Sequence, residues 1–468
     1  MPPRTPRRPP DDPLRVAATL AGAHLAAART RRVTGTARPE ALTRHLTRKY
    51  DFTNPHDAAD VLDDVASMLR RGGVHGGPTH FGPFAPGIPR EAVAASTLVA
   101  AFNPQRAIRA HAYAAHALET HTLQFLTSQL GLDPTTSAAH MNTGAQESNL
   151  TALLCALVHA FPAVRDQGVR ALPGDPRIYA SAEAHHGLEK AAHIAGLGRQ
   201  SLVRIETDSA FRLDVESLAR RLHADRQSGY APIAVVATAG TTATGAIDPL
   251  PALAAFCARE RLWFHVDAAF GGTAALSPAL RTCLDGIAHA DSIAWDAHKW
   301  LQMPLGTGMY VTRHPSSLRA AFQTDAPYMP RRDPAHDEPV DTSPAWSRRA
   351  AGIPLFVTLA THGLPALAAQ LERHVALAGY LRLQLSSMGF TPVGESPLPV
   401  VCFTHPRFAS GTLIPGDLTR ALARDGRVWL APVTLSTGQR ALRATITSAE
   451  TNEADLHTLI DALRAAMG

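Results

Sequence analysis

The chain has 468 residues, 45% hydrophobic and 18% charged, with a formal net charge of +5. That length can bury a large core and more than one structural domain, and much of the positive excess sits in MPPRTPRRPP and RTRRVTG, which gives little reason to expect a nucleic-acid partner. Four widely spaced cysteines make no metal-ligand grouping, so no metal is expected, and without a bilayer-spanning run or a secretory core the expected location is cytoplasmic, with no membrane partner.

In chain order, residues 1–13 read as a disordered leader, because proline withholds backbone donors. A helix is predicted from Leu14 to about Ala28 and another over Ala59–Arg70, stopped by Gly72-Gly73. The 14–88 segment is too small to be independently stable and is expected to pack on a partner subunit. Residues 72–89, GGVHGGPTHFGPFAPGIP, read as an extended loop. Helical patterning resumes at Glu91, and His111–Leu132 reads as a long helix with Leu118, Phe125 and Leu126 on or near one face. In HMNTGAQESNL a turn at Thr143-Gly144-Ala145 opens a helix at Gln146, an arrangement that offers backbone N–H groups to an anion.

Arg177–Ala180 is a predicted strand leading into SAEAHHGLEKAA, where His185 and His186 compete for the loop-end position. Ile233–Thr238 is a nearly continuous apolar strand running into AGTTATGAIDPL, with Asp248 expected to cap a helix near Pro249. Two further apolar runs end in polar groups: Leu262–Phe264 leads to His265 and Asp267, and Ser292–Trp295 leads to Asp296, His298 and Lys299. In an α/β sheet, binding groups sit just beyond the carboxyl ends of strands. An acid and an amine 32 residues apart would then share one rim. A lysine beside apolar surface can act as a nucleophile or form an imine, and pyridoxal phosphate (PLP) needs such a lysine and a carboxylate at its ring nitrogen.

WFHVDAAFGG followed by ADSIAWDAHKWLQMPLGTG resembles the cofactor signature of the group II PLP-dependent amino-acid decarboxylases, whose members act on glutamate, aromatic amino acids, histidine and diaminobutyrate. The resemblance spans about residues 50–468. It implies a fold-type I α/β enzyme with a mainly parallel central sheet, an N-terminal helical segment, a large PLP-binding domain over 89–345 and a smaller C-terminal α+β domain over 346–468. It also implies a likeness of roles: Lys299 as the imine-forming lysine, Asp267 at the ring nitrogen, and Asp296 and His298 near the phosphate. Ala269 would lie under the ring, His185 would stack on it, Thr238 would stand close to it, and Gly144, Ala145 and Gln146 would form the phosphate loop.

On the substrate side the resemblance points to His80 as a pocket residue, with Phe81 and Phe84 as pocket walls. Glu119 matches a glutamate with a structural role. The loop from Thr324 to Pro344 is where decarboxylases of this kind place a catalytic tyrosine for the neighbouring subunit. Here Tyr328 stands near the first end of the loop and His336 nearer the second, and both are candidates for the proton donor. Trp346, Arg348 and Arg349 are expected to open the next helix.

Leu371–Met388 reads as amphipathic helix, Val400–Phe403 as a strand, Val428–Leu435 and Ala441–Ile446 as a closing hairpin, and Glu453–Met467 as the last helix. Arg443 either binds a substrate carboxylate or lies solvated on an edge strand. The implied activity is decarboxylation of an L-amino acid to a primary amine and carbon dioxide by a homodimer with shared sites. Aldehyde formation, transamination, carbon–carbon lysis or a non-catalytic role are the alternatives, and the amino acid is not legible.

Overall fold

The structure, a computed structural model, describes residues 12–73, 76–82, 84, 87–324 and 337–468. Three helices come first: α1 (Pro13–Ala26), α2 (Pro39–Lys49) and α3 (Ala58–Gly72). Asp12 caps α1 by accepting the Leu14 N–H at 3.1 Å, so the predicted leader is already ordered at its end. None of these helices buries a residue, and Leu14, Leu46, Val65 and Leu69 are exposed. Asp64 of α3 fastens α2, accepting from His45 (2.7 Å), Lys49 (3.1 Å) and Tyr50 (2.8 Å). The segment between α1 and α2 is tied to the far end of the chain, with Val33 N donating to Gly426 O at 3.0 Å and Arg29 paired with Asp455 at 3.1 Å.

Helices α4 (Arg90–Phe102) and α5 (Tyr113–Gln129) lead into the large domain, which continues as β1 (Ala138–Asn142), α6 (Ala145–Ala160), the short α7 (Val164–Gln167), β2 (Pro176–Ser181), α8 (Gly187–Ile194) and β3 (Leu202–Ile205). It closes with α9 (Val215–Gln227), β4 (Ala231–Thr238), α10 (Leu250–Glu260), β5 (Trp263–Asp267), β6 (Ser292–Asp296), β7 (Gly308–Thr312) and α11 (Pro315–Phe322). The strands form one sheet in the order β1-β7-β6-β5-β4-β2-β3. Only β7 pairs antiparallel with its neighbours; the rest run the same way, as alternation of strand and helix requires. Strands β5, β6 and β7 are buried at every position, so their sequences read as apolar runs rather than alternating ones.

The long helix α12 (Gly352–Ser386) is kinked at Gly363, where φ is +69°, two residues before Pro365. Its first part packs Leu355 and Leu371 into the large-domain core, and Leu377, Leu381 and Leu385 enter the small-domain core. It begins at Gly352, not at the predicted Trp346–Arg349. Arg348 instead donates to Met141 O at 2.9 Å and is drawn in against β1. Among the described residues α12 is also the one helix long and apolar enough to cross a membrane, and its apolar side chains enter the two cores.

The small domain carries β8 (Thr391–Pro392), β9 (Val400–Thr404), α13 (Pro406–Ala409), α14 (Pro415–Asp425), β10 (Ala431–Thr434), β11 (Arg440–Thr445) and α15 (Glu453–Met467). Its sheet runs β10-β11-β9-β8, all antiparallel, so β11 is an interior strand and not an edge.

Candidate active site

Register places the site. Asn142 at the end of β1 pairs with Gly308, which pairs with Asp296 at the end of β6. Thr238 at the end of β4 pairs with Asp267 at the end of β5, itself opposite Ala294. The carboxyl ends of four strands therefore form one rim, the position where open α/β sheets bind ligands.

The turn after β1 is prebuilt. Asn142 Oδ1 accepts the Gly144 N–H (3.0 Å), its Nδ2 donates to Ser148 Oγ (2.7 Å), and Glu147 accepts both the N–H and the hydroxyl of Thr143 (3.0 and 2.7 Å). Gly144 has φ +147°, and a Cβ there would stand 3.1 Å from His298 Cε1. A Cβ on Gly187 would run into Gln146 Oε1 and reach within 2.7 Å of His185 Nδ1. Both glycines keep open the space before the N-terminus of α6. Ala145, Ala269 and Ala294 form a cluster of small side chains beside it.

Asp267 is buried; Oδ1 accepts the Ala269 N–H at 3.2 Å and Oδ2 accepts Asn149 Nδ2 at 2.9 Å. Lys299 lies one turn past β6, with Nζ 3.2 Å from Asp296 Oδ2 and 5.9 Å from the Phe84 ring centroid. His298 Nε2 is 3.7 Å from the same carboxylate oxygen, and burial lowers the His298 pKa. His185 Nδ1 accepts the Gly187 N–H at 3.0 Å, which leaves the proton on Nε2. Packing around its inner atoms lowers the His185 pKa, with Asp267 acting in the opposite sense. His186, the rival, turns outward to Glu189 at 3.5 Å with its side chain 88% exposed.

Several buried polar atoms at this rim have no partner among the described residues: Gln146 Nε2, Thr238 Oγ1, Asp296 Oδ1 and His298 Nδ1. Buried polar groups are nearly always satisfied, so this concentration marks a ligand carrying both donors and acceptors. A phosphate at the turn, a ring over the small-residue floor and a carbonyl at Lys299 fit these residues.

The substrate side differs from expectation in three places. Phe84 packs on Phe270 at 4.9 Å and lines the approach to Lys299. His80, however, stacks on Trp429 at 5.2 Å, and Phe81 lies in the small-domain core with Phe403 and Leu442. The loop adds a bridge beside Trp429, where both side chains pack against the small domain. Arg443 is neither solvated nor on an edge. It is buried, donates to Thr242 O (2.9 Å) and Gly82 O (2.5 Å), and lies 4.5 Å over the Phe84 ring, with burial lowering its pKa to about 10.

Asp248 does not cap α10, which has no side-chain cap. It is buried and accepts the N–H groups of Thr238 and Leu213, both at 2.7 Å, while desolvation raises its pKa to about 6. Glu119 forms a buried ion pair with Arg106. Tyr328 and His336 lie outside the described residues. The sequence does not tie Asn149 or His265 to Asp267. The one available signal was spacing, since His265 and Asp267 stand two apart on a strand and share a face.

The pyridoxal-dependent decarboxylase conserved domain matches residues 39–405. Acidic amino acid decarboxylase GADL1 of Mus musculus is 34% identical over 271 residues, a match spanning 56% of this chain but only 49% of that relative. Human cysteine sulfinic acid decarboxylase is 30% identical over 348 residues, 73% of this chain and 70% of the relative. The crystal structure of mouse CSAD superposes with a TM-score of 0.90 at 26% identity, covering 97% of this chain and 98% of that one. The Oryza sativa TDC structure with PLP and tryptamine gives the same TM-score at 24% identity, a likeness of fold. With its sheet, its rim and its matched domain, the chain belongs to the pyridoxal-dependent decarboxylase family.

Proposed function

We propose that the protein is a PLP-dependent L-amino-acid decarboxylase that releases a primary amine and carbon dioxide and works as a homodimer. The observation that carries this reading is the placement of Lys299 and Asp267 at the ends of adjacent strands, among buried polar atoms that lack partners among the described residues. When bound, PLP supplies a carbonyl that takes up an amine and a ring that withdraws electrons from the α-carbon.

The chain's own groups prepare that chemistry. Asp296 holds the Lys299 amine at the rim, while Phe84 and Phe270 keep water from one side of it. Asp267 would hold a proton at the ring nitrogen, and His185 would present its imidazole to the ring. The Gly144–Gln146 turn supplies N–H donors at a helix N-terminus to the phosphate. Tyr328 and His336 remain the proposed proton donors to the α-carbon.

Exposed apolar side chains on α1 and α3 support dimerisation, since a single copy leaves them in water. The relatives' named substrates put small acidic amino acids at the head of the panel to be tried. Equal yields of amine and carbon dioxide from one of these, with no aldehyde, is the expected result. Aldehyde in place of amine would refute simple decarboxylation.

A further inference from the structure

Behind Asp267 a line of buried side chains runs away from the rim. Asn149 Nδ2 donates to Asp267 Oδ2 at 2.9 Å, and Asn149 Oδ1 lies 2.9 Å from His265 Nε2. His265 Nδ1 lies 2.9 Å from Ser292 Oγ, which accepts the Trp263 indole N–H at 2.9 Å. Asn149, His265, Ser292 and Trp263 are all less than 5% exposed.

Chemistry fixes the direction of this line. An ionised carboxylate only accepts, so Asn149 must turn its NH₂ to Asp267 and its oxygen to His265. That oxygen takes the His265 proton on Nε2; Nδ1 then faces both the Ser292 hydroxyl, from which it accepts, and the Ser292 carbonyl at 3.1 Å, which competes for the same ring proton. Trp263 can only donate, so it completes the sequence at the far end. Burial holds His265 neutral by lowering its pKa to about 4, which keeps a single tautomer. The titratable groups that act with Asp267 are His265 behind it and His185 across the rim, and Lys299, Asp296 and His186 act on His185.

We propose that Trp263, Ser292, His265 and Asn149 form a donor relay that holds the Asp267 carboxylate in place as the acceptor for the cofactor's ring nitrogen. Asn149 and His265 are then positioning residues. The proposal rests on PLP being the bound group and on Asp267 facing its nitrogen.

The test uses the full chain reconstituted with PLP labelled with ¹⁵N in the ring. Nitrogen chemical shift and visible absorbance are followed against pH, and cofactor retention is measured by equilibrium dialysis. In Asn149→Ala and His265→Phe the midpoint for ring-nitrogen deprotonation falls by about one pH unit, and retention weakens on the order of tenfold. His265→Gln, which keeps an N–H donor, recovers most of the shift.

If His265→Phe does not fold, Asn149→Ala and Ser292→Ala carry the test. Folded variants with the wild-type nitrogen shift and midpoint, alongside an Asp267→Asn control that moves both, overturn the relay and leave the cofactor reading intact. Wild-type protein that binds no PLP overturns both.

Discussion

Trp300 donates its indole N–H to Nδ1 of His374 at 3.1 Å, and His374 Nε2 faces Ser448 O at 3.1 Å. The residue after Lys299 is thereby bolted to α12 and, through Ser448, to the segment before α15. Phe270 stacks on the other side of Trp300 at 5.5 Å, and Phe84 packs on Phe270 at 4.9 Å. The lysine is therefore held by a line of rings reaching from the small domain to the substrate side.

This bond makes stability depend on pH. Burial lowers the pKa of His374 from 6.5 to about 4, and that of His265 likewise. The unfolded imidazoles take up protons near the ordinary value while the folded ones do not, so the unfolded state binds more protons in that window. Stability is full above pH 6.5 and falls as pH drops towards about 4, by about 3 kcal/mol per histidine. His374→Gln keeps an acceptor for Trp300 and a donor for Ser448 but does not titrate. Denaturant unfolding of this variant across the window is expected to show a loss smaller than that of the wild type by about 3 kcal/mol.

The cofactor cradle predicts a steric sensitivity. Gly187→Ala puts a methyl group against Gln146 Oε1 and His185 Nδ1, while the backbone there is helical and tolerates alanine. Folding should therefore be preserved and PLP affinity should drop by roughly tenfold or more, since about 1.4 kcal/mol of strain suffices for that. Equilibrium dialysis against PLP, with circular dichroism as the fold control, checks it.

Arg443 separates two roles that the sequence alone leaves open. Because its guanidinium bonds the backbone of Thr242 and Gly82 and carries Phe84, Arg443→Ala leaves two carbonyls without their donor. The expected loss is about 2–3 kcal/mol in denaturant unfolding of the protein without substrate. A variant of unchanged stability with a raised KM alone would make Arg443 a substrate ligand instead.

The N-terminal helices predict an association. Leu69 is 69% exposed on α3, and Val65 lies one turn before it on the same helix. Replacing both with Asp adds charge to a face that has no core to lose, so each copy keeps its fold. Sedimentation should show a homodimer for the parent and a shift towards monomer for the variant.

Much of this was legible because β4 is a nearly continuous apolar run, β5 and β6 carry short ones that lead to polar residues, and Lys299 and Asp267 sit where these strands end. Helix α15 was equally plain, with its apolar residues at helical spacing. Residues 80–84 were not legible, since a loop without periodicity takes its orientation from the closing hairpin far along the chain. His80 pairs with Trp429 there, and no local signal couples positions so distant in sequence. Asp248 misled for a related reason: before a helix it reads as a cap, yet burial beside Leu213 and Thr238 gave its carboxylate stronger claims. Helix α2 was not legible because PEALTRHLTRK carries only Leu42 and Leu46 as large apolar residues, and polar contacts to Asp64 hold it in place.

The most direct test is borohydride reduction of the PLP-loaded protein followed by peptide mass spectrometry. The account predicts a pyridoxyl phosphate adduct on Lys299 and on no other lysine, together with loss of the visible absorbance band in Lys299→Ala. An adduct on a different lysine, or none with the band retained in Lys299→Ala, would contradict it.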